Sequence, residues 1–127
     1  MKKYLAEAIG TCTLVVLGCG TAMLVGCDAV MGGGYILTAL AFGLSIVAMA
    51  YCIGNISGCH INPAVTLGVF LSGRMEKKDV AGYVVAQCVG ALVGSALLAL
   101  IFKLGHVEDM TGAFGCNSLA GVGGNDS

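Results

Sequence analysis

The stretch Ile61-Asn62-Pro63-Ala64-Val65-Thr66-Leu67-Gly68-Val69-Phe70-Leu71 decides how this chain folds. It is apolar enough for a membrane and too short to cross one. At ~1.5 Å per helical residue it spans roughly half of a ~30 Å hydrocarbon core. Asn62-Pro63 is a helix-start signal, an Asn cap followed by a Pro whose missing N–H costs no intrahelical bond. A helix that begins at mid-membrane exposes free N–H groups and the positive end of its dipole there. Backbone of that kind is tolerated at such depth only inside protein or along a water-filled cavity. The stretch therefore predicts a re-entrant half-helix beside a pore.

The flanking sequence supplies the membrane. Three apolar runs, 5–25, 35–53 and 80–102, each exceed the ~18 residues of a transmembrane candidate. Only Glu7 interrupts the first. The predicted architecture is an all-α membrane protein with three transmembrane helices and one re-entrant half-helix. The loop and half-helix occupy about 57–71, and residues 104–127 form a loose, glycine-rich tail. Composition agrees, with 57% hydrophobic and 10% charged residues and a net charge of −1. That excludes an ordinary soluble domain and leaves no basic footprint for nucleic acid. Twenty-one glycines against one proline suit close helix packing in lipid. Gly90 and Gly94 form a GxxxG pair through which another helix approaches. With no tryptophan, the interfacial belt falls to Tyr4, Tyr35, Tyr51 and Tyr83, each near a predicted span end.

Basic residues set the orientation. Lys2, Lys3, Arg74, Lys77 and Lys78 fall on one side and Lys103 on the other, which predicts a cytoplasmic N-terminus and an outer C-terminal tail. Lys2-Lys3 before an apolar run also resembles a signal peptide, and Val16-Leu17-Gly18-Cys19 a lipoprotein cleavage site. Glu7 within that run and two further spans favour a retained helix. The seven cysteines contain no CxxC pair and fit no zinc framework, so they read as small packing residues. Cys27 and Cys116 both fall in outer loops, which leaves a disulfide between them open.

Ser57-Gly58-Cys59-His60 reads as an extended segment whose carbonyls face a narrow lumen, where transiting water meets their hydrogen-bonding needs. Asn62 adds two amide N–H donors at the inner end of that loop while its oxygen caps its own helix. Cys59, three residues earlier, is placed near the lumen, within reach of a mercurial. His60 reads as a hydrogen-bonded residue holding the loop, since His60 and Cys59 alone make no metal site. His60 and His106 lie far apart, and no nucleophile–base pair stands out, so the chain does not read as an enzyme and no cofactor is expected.

The residues His60-Ile61-Asn62-Pro63-Ala64-Val65-Thr66-Leu67-Gly68 resemble the signature of the aquaporin (major intrinsic protein) family. Ala6-Glu7 with Gly10-Thr11, Ala41-Phe42-Gly43-Leu44 and Ala86-Gln87 are similar in context. The resemblance covers residues 4–102 and points to the bacterial water-channel branch. It implies a fold of two inverted repeats whose half-helices meet at the midplane, each beginning in Asn-Pro-Ala. This chain matches the first repeat, 1–103. The second Asn-Pro-Ala and its following arginine are absent, so the chain is expected to be a fragment or a half that needs a second repeat. The resemblance implies that Asn62, with Pro63 and Ala64, orients single-file water, that the carbonyls of Gly58, Cys59 and His60 accept from it, and that Phe42 walls an outer filter. A phenylalanine there, in place of the tryptophan typical of glycerol channels, favours water. Glu7 and Gln87 resemble buried residues that brace the loop. The implied function is proton-excluding water permeation in the plasma (inner) membrane, with a glycerol or small-solute facilitator as alternative. Water and membrane lipid are the implied partners, and a homo-tetramer the implied assembly when complete. A non-conducting assembly module, docking through the loop and the GxxxG face, is the alternative of another class.

Overall fold

The computed structural model describes residues 1–27 and 33–115. Four helices follow one another: α1 at Lys2–Val25, α2 at Gly33–Ser57, α3 at Pro63–Leu71 and α4 at Lys77–Gly105. There is no strand among the described residues. α1, α2 and α4 are long and apolar enough to cross a membrane, and α3 has nine residues. The long helices overrun the apolar runs by a few residues because the polar flanks at Lys2-Lys3 and Lys77-Lys78 continue the same helical turns.

Local chemistry explains the ends. α1 stops at Gly26, which turns left-handed at φ 82° while its N–H donates to the Ala22 carbonyl at 2.9 Å. α3 begins as its Asn-Pro pair predicts: the Asn62 Oδ1 accepts from the Ala64 N–H at 2.7 Å, with Pro63 in the first turn. α4 closes at His106, left-handed at φ 51°, and the Val107 N–H donates back to the Phe102 carbonyl at 3.0 Å. Three hydroxyls inside the apolar helices are satisfied within their own helix. Thr11 donates to the Glu7 carbonyl, Thr38 to Gly34 and Ser45 to Ala41.

α1 packs against both α2 and α4. Its contact with α4 is set by glycine. A Cβ at Gly90 would run into the backbone carbonyl of Ala8, and one at Gly94 would lie 3.0 Å from the Cys12 oxygen. The GxxxG face is thus filled within the chain, by α1. Ala6, Met49, Ile53 and Ile61 form one apolar cluster near the start of α1, and Met23, Leu98 and Phe102 form another near its end. Leu40, Leu44, Leu92 and Leu100 point outward and exposed, as lipid-facing residues do.

Two expectations are corrected. Tyr83 is no belt residue: it is buried, its ring 5.0 Å from His60 and edge-on to Tyr4 at 5.8 Å. Tyr4 is half-buried and donates to Asp79 at 2.8 Å, while Tyr35 and Tyr51 remain exposed. Both inward tyrosines found hydroxyl acceptors, which lets a ring leave the interface. The tail is not loose throughout. Up to Gly115 it turns around Asp109, whose carboxylate accepts from the Thr111 hydroxyl and the N–H groups of Thr111 and Phe114. The Met110 N–H donates to the Met23 carbonyl at 2.8 Å, pinning this turn to α1. Cys116, and with it the disulfide left open between Cys27 and Cys116, lies outside the described residues.

Candidate functional site

The site begins with a carboxylate inside the first span. Glu7 is fully buried, and four donors reach it. Oε1 accepts from the Ser57 hydroxyl at 2.7 Å and the His60 N–H at 2.9 Å. Oε2 accepts from the Ile61 N–H at 2.6 Å and the Gln87 amide at 2.8 Å. Among the described residues no cation pairs with it. Every partner is a donor, the arrangement that an acceptor-only carboxylate satisfies.

These bonds shape the loop between α2 and α3. The predicted extended segment is not what forms. Gly58, Cys59 and Ile61 all take left-handed backbone, at φ 87°, 53° and 44°. Left-handed conformation is unfavourable for Cys and a genuine outlier for β-branched Ile. Glu7 holds the two N–H groups, of His60 and Ile61, on which this path depends. The Ser57 hydroxyl oxygen accepts from the Cys59 N–H at 3.1 Å, and Tyr83 donates to the Ser57 carbonyl at 2.7 Å. Within the described residues the carbonyls of Gly58, Cys59 and His60 accept no hydrogen bond, so they remain open to a ligand or solvent.

A second layer binds the loop to α3 and α4. Thr66, fully buried one turn into α3, meets three groups: the Gln87 amide at 2.8 Å, His60 Nδ1 at 3.1 Å and the Asn62 carbonyl at 3.2 Å. Gln87 therefore donates to both Glu7 and Thr66, while its Oε1 is buried with no partner among the described residues. Tyr83, Gln87, Gly90 and Gly94 form one buried stripe of α4 at helical spacing. Below it, Lys3 pairs with Asp79 at 2.6 Å, which joins the first turns of α1 and α4. A cavity of about 330 Å³ adjoins the loop, lined by Ser57, Gly58, His60, Arg74, Asp79 and Tyr83 among others.

Of the residues singled out in the sequence, Glu7, His60 and Gln87 meet directly or through one shared partner. Asn62, Pro63 and Ala64 sit exposed at the head of α3. The Asn62 oxygen serves its helix, and its amide N–H groups donate to nothing among the described residues. Cys59 is half-buried and Gly58 exposed. Phe42 stands apart from this cluster: it lies on α2, its ring against Gly18 of α1. The bracing roles of three residues escaped the sequence reading: Ser57, read only as part of the segment, Thr66, and Tyr83, read as a belt residue. Thr66 had a signal in its place, four residues after Asn62 and alone polar in an apolar helix. Tyr83 had one four residues before Gln87.

Comparison with known proteins gives the family. The family model described as major intrinsic protein matches residues 1–124. A protein named Aquaporin Z from Rhodopseudomonas palustris is 49% identical over 116 residues, covering 91% of this chain and 48% of that protein. Another Aquaporin Z, from Bradyrhizobium diazoefficiens, is 48% identical over 117 residues, covering 92% of this chain and 49% of its own length. The chain spans about half the length of the curated relatives it matches. By its sequence over nearly its whole length and by its three apolar helices with a capped short helix between them, the chain belongs to the major intrinsic protein family.

Proposed function

We propose that this chain forms one half of a water-conducting passage, completed by a second repeat. The observation that carries the reading is the split use of the Asn62 side chain. Its oxygen is spent on the Ala64 N–H, which leaves two exposed amide donors at the N-terminus of α3. A water accepting from an Asn62 N–H and from the matching amide of the second repeat has its hydrogens turned away and cannot relay a proton along a file. The positive end of the α3 dipole opposes cations at the same place. The open carbonyls of Gly58, Cys59 and His60 make the row of acceptors leading to it, and Phe42 lines a separate narrowing. Glu7 and Gln87 hold the loop in its left-handed path. Names of the relatives point the same way, to water. In this reading the N-terminus is cytoplasmic, lipid surrounds the outer faces of α2 and α4, and the completed protein is a tetramer in the plasma (inner) membrane.

Osmotic shrinkage of proteoliposomes, followed by light scattering, tests it. The chain alone is expected to leave water permeability at the lipid baseline, and the chain with a second repeat of the family to raise it. Asn62→Asp in that pair keeps an oxygen for the Ala64 N–H and removes the amide donors, so it is expected to abolish the rise. Equal glycerol and water fluxes would favour the small-solute facilitator. No flux of either with both halves assembled would overturn the channel and leave an assembly module.

A further inference from the structure

We infer that Gly18 is the seat of the Phe42 ring, and that its missing side chain sets how far this aromatic intrudes on the passage. The inference rests on the channel reading above and adds a positioning residue for solute discrimination.

The seat is a local irregularity. α1 is α-helical except at Val15–Cys19, where one turn is π-helical. A π turn inserts an extra residue, changes which side chains face a neighbour, and is a rare feature found frequently at functional sites. Gly18 lies within this turn and is buried. A Cβ built on it would stand 2.5 Å from Cδ1 and 2.6 Å from Cζ of Phe42, and closer still to Cε1 between them. One edge of the ring thus rests on bare backbone. Gly18 is not among the residues with positive φ, so the position needs glycine for space and not for conformation. Gly43, the neighbour of Phe42 on α2, meets nothing within 4 Å and lacks any such constraint.

Phe42 is half-buried, with its buried side against Gly18. Apolar carbons settle at about 3.5–4.0 Å, so a methyl group at position 18 displaces the ring by ~1 Å. The displacement runs away from α1, into the space that the channel reading assigns to the solute. Gly18 stands eleven residues beyond Glu7 on α1, about 16 Å along the axis. The narrowing at Phe42 is therefore tuned independently of the loop at Asn62.

The test uses the chain assembled with its second repeat in proteoliposomes. Gly18→Ala is expected to lower water permeability several-fold and glycerol permeability more, so that the water-to-glycerol ratio rises. In a Phe42→Leu background the same substitution is expected to change neither, because the clashing ring edge is gone. An unchanged ratio in Gly18→Ala, or the same change in both backgrounds, overturns the inference. If Gly18→Ala fails to assemble, Phe42→Leu is expected to restore it, and failure to do so counts against the seat. Fluorine-labelled phenylalanine gives a readout free of flux: the resonance lost in Phe42→Leu is expected to shift in Gly18→Ala. Absence of water flux in the unmodified pair would sink the channel reading, while that resonance would still decide whether Gly18 seats the ring.

Discussion

Glu7 shows how much one side chain can impose on a distant backbone. Its two oxygens collect four donors from three elements, and two of these donors belong to a loop that takes unfavourable left-handed conformations. In Glu7→Gln one oxygen becomes an NH2 group that faces the Ile61 N–H and the Gln87 amide, or the Ser57 and His60 donors. A buried donor left without an acceptor costs about 1–3 kcal/mol. Glu7→Gln is expected to lower the thermal midpoint in detergent and to speed thiol labelling at Cys59, because the loop loses its anchor. Unchanged midpoint and labelling rate would remove Glu7 from this role. The residues around Glu7 were unequally legible. Asn62 and Pro63 announce themselves through local rules, since a cap and a first-turn proline depend only on their neighbours. Thr66 and Ser57 do not, because their partners Gln87 and Glu7 lie 21 and 50 residues away in sequence.

At the scale of elements, the helices were readable from apolar run length and their ends only approximately, since polar flanks extend a helix without changing its hydropathy. The loop before α3 was misread for a definite reason. Small residues and glycine are compatible with extended backbone, and nothing nearby in sequence reveals a carboxylate poised to bind two successive N–H groups. Helix contacts separate the glycines that matter. Gly90→Ala would press a methyl group into the Ala8 carbonyl and is expected to cost about 1–3 kcal/mol. Gly43→Ala, inside α2 with nothing within 4 Å, is expected to gain about 0.5–1 kcal/mol from helix propensity. Thermal unfolding in one detergent, followed by circular dichroism, checks both; equal shifts would mean that α1 and α4 do not touch there.

The turn that follows α4 carries a pH dependence. The Thr111 hydroxyl above all, with the N–H groups of Phe114, Thr111 and Gly112, holds the Asp109 carboxyl below its ordinary 3.8. A depressed carboxylate stabilises the folded turn fully above the unfolded value and loses that contribution as pH falls through the folded one. The amide protection factor at Phe114 is therefore expected to be constant above pH 5 and to fall once pH drops below 3.8. Protection that declines near neutrality instead would assign the turn to another group.

Across the whole molecule, hydropathy showed the three spans and the Asn-Pro pair showed the fourth helix, but neither showed which faces meet. That depends on glycines at 90 and 94 finding Ala8 and Cys12, a match between surfaces far apart in sequence. The same distance has a consequence for how the protein is made. Synthesis delivers Glu7 to the bilayer long before its donors exist: Ser57 emerges 50 residues later, the Ile61 amide 54, and Gln87 80. Until then the first helix carries an uncompensated acid into oil. It must wait in the insertion machinery or at a wet boundary until α4 brings the Gln87 amide to it, and only then can this first helix settle into lipid.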